Sequence, residues 1–140
     1  MRGLAPLTAR RLDPTMTAMA RILLVDDDHR ILEMLADFLG GLGYDMLTAG
    51  NGEEALAVSS GREIDLIISD FHMPGLTATE LLDRLRANYP ARTVPAIIMS
   101  GSSPDEAPQI ARKPRVHYLV KPVDLAHLRA CIEQMLEPLR

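Results

Sequence analysis

Leu66-Ile67-Ile68 is an apolar run without polar alternation; it ends in Ser69-Asp70, and Pro74 closes the loop that follows. Strands of a parallel sheet, buried on both faces, read this way. The pattern returns at Ile22–Val25, which runs into Asp26-Asp27-Asp28, and at Ala96–Met99, which runs into Ser100-Gly101. Tyr44–Ala49 and Val116–Val120 complete five predicted strands, the last followed by Lys121-Pro122.

The intervening segments change period. Ile31, Leu32, Leu35, Phe38, Leu39 and Leu42 share one face of a helix predicted over His29–Leu39, with Asp28 as its cap and Gly40, Gly41 and Gly43 ending it. Asn51-Gly52 predicts a turn, and Glu53–Ser60 a short helix. Thr77-Ala78-Thr79-Glu80 has capping-box spacing and opens a helix that buries Leu81, Leu82 and Leu85 and stops before Pro90. Asp124 caps a last helix, with Leu125, Leu128, Ile132, Met135 and Leu136 inward. Pro104, Pro108 and Pro114 crowd the segment between the fourth and fifth strands. Interior proline costs a helix about 3 kcal/mol, so at most a turn or two is predicted there, between Pro108 and Lys113.

Short strands alternating with helices specify an α/β fold, a parallel sheet with helices on both faces. Five such units are too few for an eight-fold barrel, so the sheet is open. Residues 1–20 lack either period and carry Arg2, Arg10, Arg11, Pro6 and Pro14. They are read as a disordered extension or an upstream start, with Met16 or Met19 opening the chain proper, and residues 21–140 as one domain.

Composition narrows the function. The 140 residues are 47% hydrophobic and 24% charged, which is ordinary for one globular domain. A net charge of -4 argues against nucleic acid as a partner. No apolar run approaches a membrane span. The single Cys131 excludes an internal disulfide and suits a reducing compartment, so a cytoplasmic location is expected.

Parallel strands present their carboxyl ends along one edge of the sheet. Asp26-Asp27, Asp70, Ser100 and Lys121 therefore converge although distant in sequence. Singly, each has a plain account: a cap, a turn, a solvated lysine. Polar groups at four of five strand ends are harder to dismiss. Carboxylates with only oxygen donors suit Mg²⁺, with Mn²⁺ as an alternative ion; Lys121 brings a mobile positive charge and Ser100 a hydroxyl. Such an edge can position a phosphoryl group and neutralise its charge.

In order, Ile22-Leu23-Leu24-Val25-Asp26-Asp27-Asp28, Ser69-Asp70-Phe71-His72-Met73-Pro74, Ile98-Met99-Ser100-Gly101 and Tyr118-Leu119-Val120-Lys121-Pro122 resemble the receiver domains of bacterial two-component response regulators, of the chemotaxis-regulator type. The resemblance covers about Arg21 to Arg140. It implies a flavodoxin-like fold with strand order 2-1-3-4-5, and Asp70 as acceptor of a phosphoryl group from a phosphohistidine on a sensor histidine kinase or histidine phosphotransfer protein. It also implies Mg²⁺ held by Asp26, Asp27, Asp70 and the backbone carbonyl of His72. Lys121, joined to Pro122 by a cis bond, would pair with the carboxylate and then the phosphoryl group. Ser100 and Tyr118 would form the switch. Receivers assist their own aspartyl phosphorylation and dephosphorylation and are not otherwise enzymes.

The sequence departs from the family pattern at three places. Ala78 stands where glycine is usual, Pro114-Arg115 replaces a Gly-Ala pair, and prolines interrupt the fourth helix. A monomer or weak dimer is accordingly expected. His72 lies near the acceptor, whereas His29, His117 and His127 read as surface residues. Because Leu136 to Arg140 ends the sequence at the last helix, a stand-alone receiver is expected, acting on a protein partner or passing the phosphoryl group on. Two rivals stand beside it. A haloacid-dehalogenase-like phosphatase would use Asp26 and Asp28 but leave Asp70 idle. A receiver-like interaction module without phosphorylation would have no use for the retained acids.

Overall fold

The five apolar runs become five parallel strands in a computed structural model, which describes residues 20–101, 110 and 112–137. They are β1 (Arg21–Val25), β2 (Asp45–Ala49), β3 (Leu66–Asp70), β4 (Ala96–Ser100) and β5 (Val116–Val120), ordered β2-β1-β3-β4-β5. Every residue of β3 and β4 is buried, and β1 is buried after Arg21. Helices on both faces explain why these segments show no polar alternation.

Among the described residues four helices lie between and after the strands: α1 (His29–Gly41), α2 (Gly52–Ser59), α3 (Ala78–Ala87) and α4 (Leu125–Leu136). One core joins Leu23, Val25, Ile67 and Ile98 of the sheet to Ala55 of α2 and Leu81, Leu82 and Leu85 of α3. The other joins Ile22, Leu24, Ile68, Ile97 and Met99 to Leu35 and Leu39 of α1 and to Leu128 and Ile132 of α4. Alternate residues of each strand thus feed opposite cores.

The caps follow the sequence. Asp28 accepts from the amides of Arg30 and Ile31, and Asp124 from that of Ala126. Thr77 accepts from the Glu80 amide while Glu80 accepts from the Thr77 amide, a complete capping box. Two boundaries differ from expectation. α1 continues through Gly40 and Gly41 and stops only at Leu42, because Gly43 supplies the positive φ of 104° that ends the turn. Asn51-Gly52 is a helix start: Asn51 accepts from the Glu54 amide. A Cβ on Gly52 would fall 2.8 Å from Leu76 Cβ, so only glycine lets the loop after β3 lie on α2.

The segment expected to be at most two turns, between Pro108 and Lys113, falls largely outside the described residues, as do residues 1–19. After it the backbone reaches β5 through Arg115, whose φ is 55°, at the place of the usual Gly-Ala pair. Arg86 of α3 braces this approach, its guanidinium donating to the carbonyls of Val94 at 2.9–3.0 Å and Pro114 at 2.7 Å.

Candidate functional site

The strand order places β1 beside β3, β3 beside β4 and β4 beside β5, so their carboxyl ends form one rim. Asp26 follows β1, and its amide donates to the Ala49 carbonyl at 3.1 Å. Asp70 and Ser100 end β3 and β4. Phe71 donates to the Met99 carbonyl and Lys121 to the Ser100 carbonyl, both at 2.7 Å. These two bonds carry the ladder past the strand ends, which holds the rim in register.

Lys121 Nζ lies 3.3 Å from Asp70 Oδ1 and 3.4 Å from Asp26 Oδ2. The other oxygen of Asp26, Oδ1, accepts from the Asp28 amide at 2.9 Å. One carboxylate oxygen each from Asp26, Asp27 and Asp70 lies within 4.8 Å of the others. Asp26 is 0% and Asp70 6% exposed, whereas Asp27 is exposed. Ser100 is buried at the same rim. Three carboxylates thus gather beside one ammonium among the described residues, and two of them are withdrawn from water. That excess of negative charge, presented wholly through oxygen donors, is what a hard divalent cation would offset.

Burial pushes the Asp70 carboxyl above its ordinary value, and the neighbouring charge of Asp26 adds to this. The Lys121 ammonium and the His72 amide pull the other way without cancelling it. Lys121 is subject to the reverse balance. Desolvation opposes its charge, but Asp70 and Asp26 together outweigh it, and the ammonium is held more firmly than usual.

Asp26, Asp27, Asp70 and Lys121 are brought together, with Ser100 on the same rim. His72 stands on the exposed loop beyond Asp70, its ring meeting Phe71 edge-on at 4.9 Å between centroids. Tyr118 lies within β5, opposite Ile98, and packs half-buried against the core on the α2 and α3 side. Asp28, cast by the phosphatase alternative as a second catalytic acid, spends its carboxylate capping α1. His117 departs from expectation: it is half-buried, with Nε2 3.4 Å from the Cys131 sulfur. Of that contact the sequence signals only the one-turn spacing of His127 and Cys131 on the same helix.

No helix among the described residues is long and apolar enough to cross a membrane. Residues 22–133 match the family model of the response regulator receiver domain. Among curated proteins, the response regulator FleR of Pseudomonas aeruginosa is 35% identical over 75% of this chain and 22% of its own length. The DNA-binding transcriptional regulator NtrC of Salmonella typhimurium is 33% identical over 81% of this chain and 24% of its own length. The chain therefore spans about a quarter of the curated relatives it matches. Among solved structures, the chemotaxis response regulator CheY4 of Vibrio cholerae superposes with a TM-score of 0.76 at 30% identity, covering 84% of this chain and 98% of that one. TrrA of Thermotoga maritima, solved in complex with Mg²⁺-BeF, gives 0.72 at 31% identity, covering 84% and 99%. With its strand order, its acidic rim and the family match over most of its length, the chain belongs to the response regulator receiver domains of two-component systems.

Proposed function

We propose that this domain is a phosphorylation-dependent switch in which Asp70 takes a phosphoryl group from a phosphohistidine of a sensor histidine kinase or histidine phosphotransfer protein. The observation that carries this reading is Lys121, whose ammonium contacts both Asp70 and Asp26 beside the grouped acids. An oxygen of Asp70 attacks phosphorus, the P–N bond to the donor imidazole breaks, and an acyl phosphate forms on the carboxylate. Asp26, Asp27, Asp70 and the His72 backbone carbonyl would hold Mg²⁺ (or Mn²⁺), for which the oxygen-only donor set fits. Bound there, the ion supplies charge neutralisation at a phosphoryl oxygen. Lys121 neutralises a second, and the Ser100 hydroxyl donates to a third. The domain thereby assists its own phosphorylation and later hydrolysis and turns over no separate substrate.

Phosphorylation replaces one negative charge with nearly two and adds strong acceptors. In that state Lys121 and Ser100 turn to the phosphoryl oxygens, which draws the end of β4 toward the phosphoryl group and lets Tyr118 rotate inward. Differential contacts of this kind shift an equilibrium between two surfaces. The domain is assigned to residues 21–140 and, given its phosphohistidine donor, to the cytoplasm. Its output is the binding of a protein partner, or onward transfer of the phosphoryl group, as a monomer or weak dimer.

Mass spectrometry after exposure to acetyl phosphate and Mg²⁺ tests the reading. One phosphoryl group should appear on Asp70 and none in Asp70→Asn. Labelling that survives the substitution would refute the assignment, and steady hydrolysis of added phosphate esters would revive the phosphatase reading.

A further inference from the structure

Away from the acidic rim, near the start of β5, three metal-competent side chains meet. The Cys131 sulfur lies 3.4 Å from His117 Nε2 and 3.7 Å from His127 Nε2. One ligand atom from each residue lies within 4.8 Å of the other two. His127 and Cys131 stand one turn apart on α4, so they project from the same helix face. His117 approaches from the edge strand of the sheet, on the face opposite its neighbour Tyr118.

The spacing fits one ion. With Zn–S near 2.3 Å and Zn–N of about 2.0–2.1 Å at tetrahedral angles, sulfur and nitrogen should be separated by about 3.5 Å. The two observed separations bracket that value. Hydrogen bonding gives a weaker account, since a neutral thiol is a poor donor with one proton, and it does not call for two imidazoles on one sulfur. Donor type also separates this cluster from the rim. Imidazole and thiolate suit Zn²⁺, whereas Mg²⁺ takes oxygen. Cys131 is 5% exposed and His127 is open to solvent, which provides an inner anchor and an entry path.

We propose that His117, His127 and Cys131 form a Zn²⁺ site with its fourth position open to water, clamping the edge strand β5 to α4. Because β5 leads directly to Lys121, the ion would brace the strand that delivers the rim's only cation among the described residues. The proposal stands on this cluster alone and is independent of phosphorylation at Asp70.

The test uses the full chain with Mg²⁺ in excess, so that the acidic rim is saturated. One equivalent of Zn²⁺ should bind and raise the melting temperature. Co²⁺ in its place should give a thiolate-to-cobalt charge-transfer band in the near ultraviolet and the visible bands of a tetrahedral ion. Even second-shell partners of a metal are worth about 10–100-fold in affinity, so removing a ligand should cost at least that. Cys131→Ser should abolish the charge-transfer band. His127→Ala, at an exposed helical position that alanine suits, should weaken Zn²⁺ binding by at least the same factor, and it decides the matter should Cys131→Ser fail to fold. A cobalt spectrum without the thiolate band, or full-strength binding in His127→Ala, would overturn the proposal.

Discussion

The ammonium of Lys121 lies 3.3 Å from Asp70 Oδ1, joining residues that the chain supplies from β3 and from the end of β5. Asp26 shares the same cation at 3.4 Å. Lys121→Ala removes this shared partner and leaves two buried carboxylates facing each other. The variant should therefore be less stable without divalent ions, yet bind Mg²⁺ at least as well, because no ammonium competes for the acids. Its response to beryllofluoride should be lost. Resonances of Ser100 and Tyr118, followed by NMR with and without the analogue, would settle the point. Shifts equal to those of the parent would remove Lys121 from the switch.

Asp70 yields a prediction whose sign is set by burial. Its carboxyl titrates above the ordinary value, chiefly because it is desolvated, so the folded state holds that proton more tightly than the unfolded chain does. Ionisation then weakens the fold as pH rises from the unfolded value through the folded one, and the full cost is present above the folded value. Asp70→Asn removes that cost while Lys121 keeps Asp26. In Mg²⁺-free buffer at neutral pH it should melt higher than the parent, and the advantage should fade on acidification. Mg²⁺ at about 100 times its Kd should stabilise the parent by about 2.7 kcal/mol. The gain should be smaller in Asp70→Asn, which offers one charged ligand fewer. Thermal melts with and without Mg²⁺ at several pH values measure both effects.

Much of this site could be read from the sequence, for a physical reason. A strand covered on both faces must be apolar until it emerges, so the first polar residue after each run marks the rim. That logic identifies Asp26 and Ser100 directly, and Asp70 one residue beyond the buried Ser69. It fails where covering is incomplete. β5 is an edge strand, half-buried for most of its length, and its alternation cannot say that His117 turns toward Cys131. Asn51-Gly52 misleads for a different reason. The pair has the chemistry of a turn, but the glycine is required by Leu76, a contact made only in the folded chain.

Gly52→Ala tests that contact. The added methyl would meet Leu76 Cβ at 2.8 Å and Cδ2 at 3.0 Å, so either α2 or the loop after β3 must move. Overpacking of this kind costs about 1–3 kcal/mol, which exceeds the alanine's gain in helix propensity of about 1 kcal/mol at most. Urea denaturation should show a lower midpoint. A midpoint at or above that of the parent would mean that the loop yields freely.

The capping box of α3 gives a smaller and cleaner effect. Thr77→Ala removes the acceptor for the Glu80 amide and should cost about 1 kcal/mol. Two bonds from Thr77 to Glu80 hold that carboxyl below its ordinary value. Its contribution is therefore present above the unfolded value and lost as pH falls through the folded one. The deficit of Thr77→Ala should accordingly narrow in acid. Denaturation curves at neutral and acidic pH provide the comparison.

Arg86 makes the strongest case for a long-range brace. Its guanidinium donates twice to the Val94 carbonyl and once to that of Pro114, tying α3 to the residues before β4 and before β5. Val94 is fully buried, so no water stands ready to replace the lost donors. Hydrogen bonds to charged groups are worth about 1.5–3 kcal/mol, and Arg86→Ala should lose an amount in that range. Arg86→Lys should recover only part of it, because an ammonium cannot reproduce the planar fork that spans the two carbonyls. The prediction reaches the site as well: β5 carries Tyr118 and leads directly to Lys121, so loosening its approach should broaden the amide resonances of both. A variant with the parent's stability and unchanged line widths at Tyr118 would show that β5 is positioned by its ladder to β4 alone.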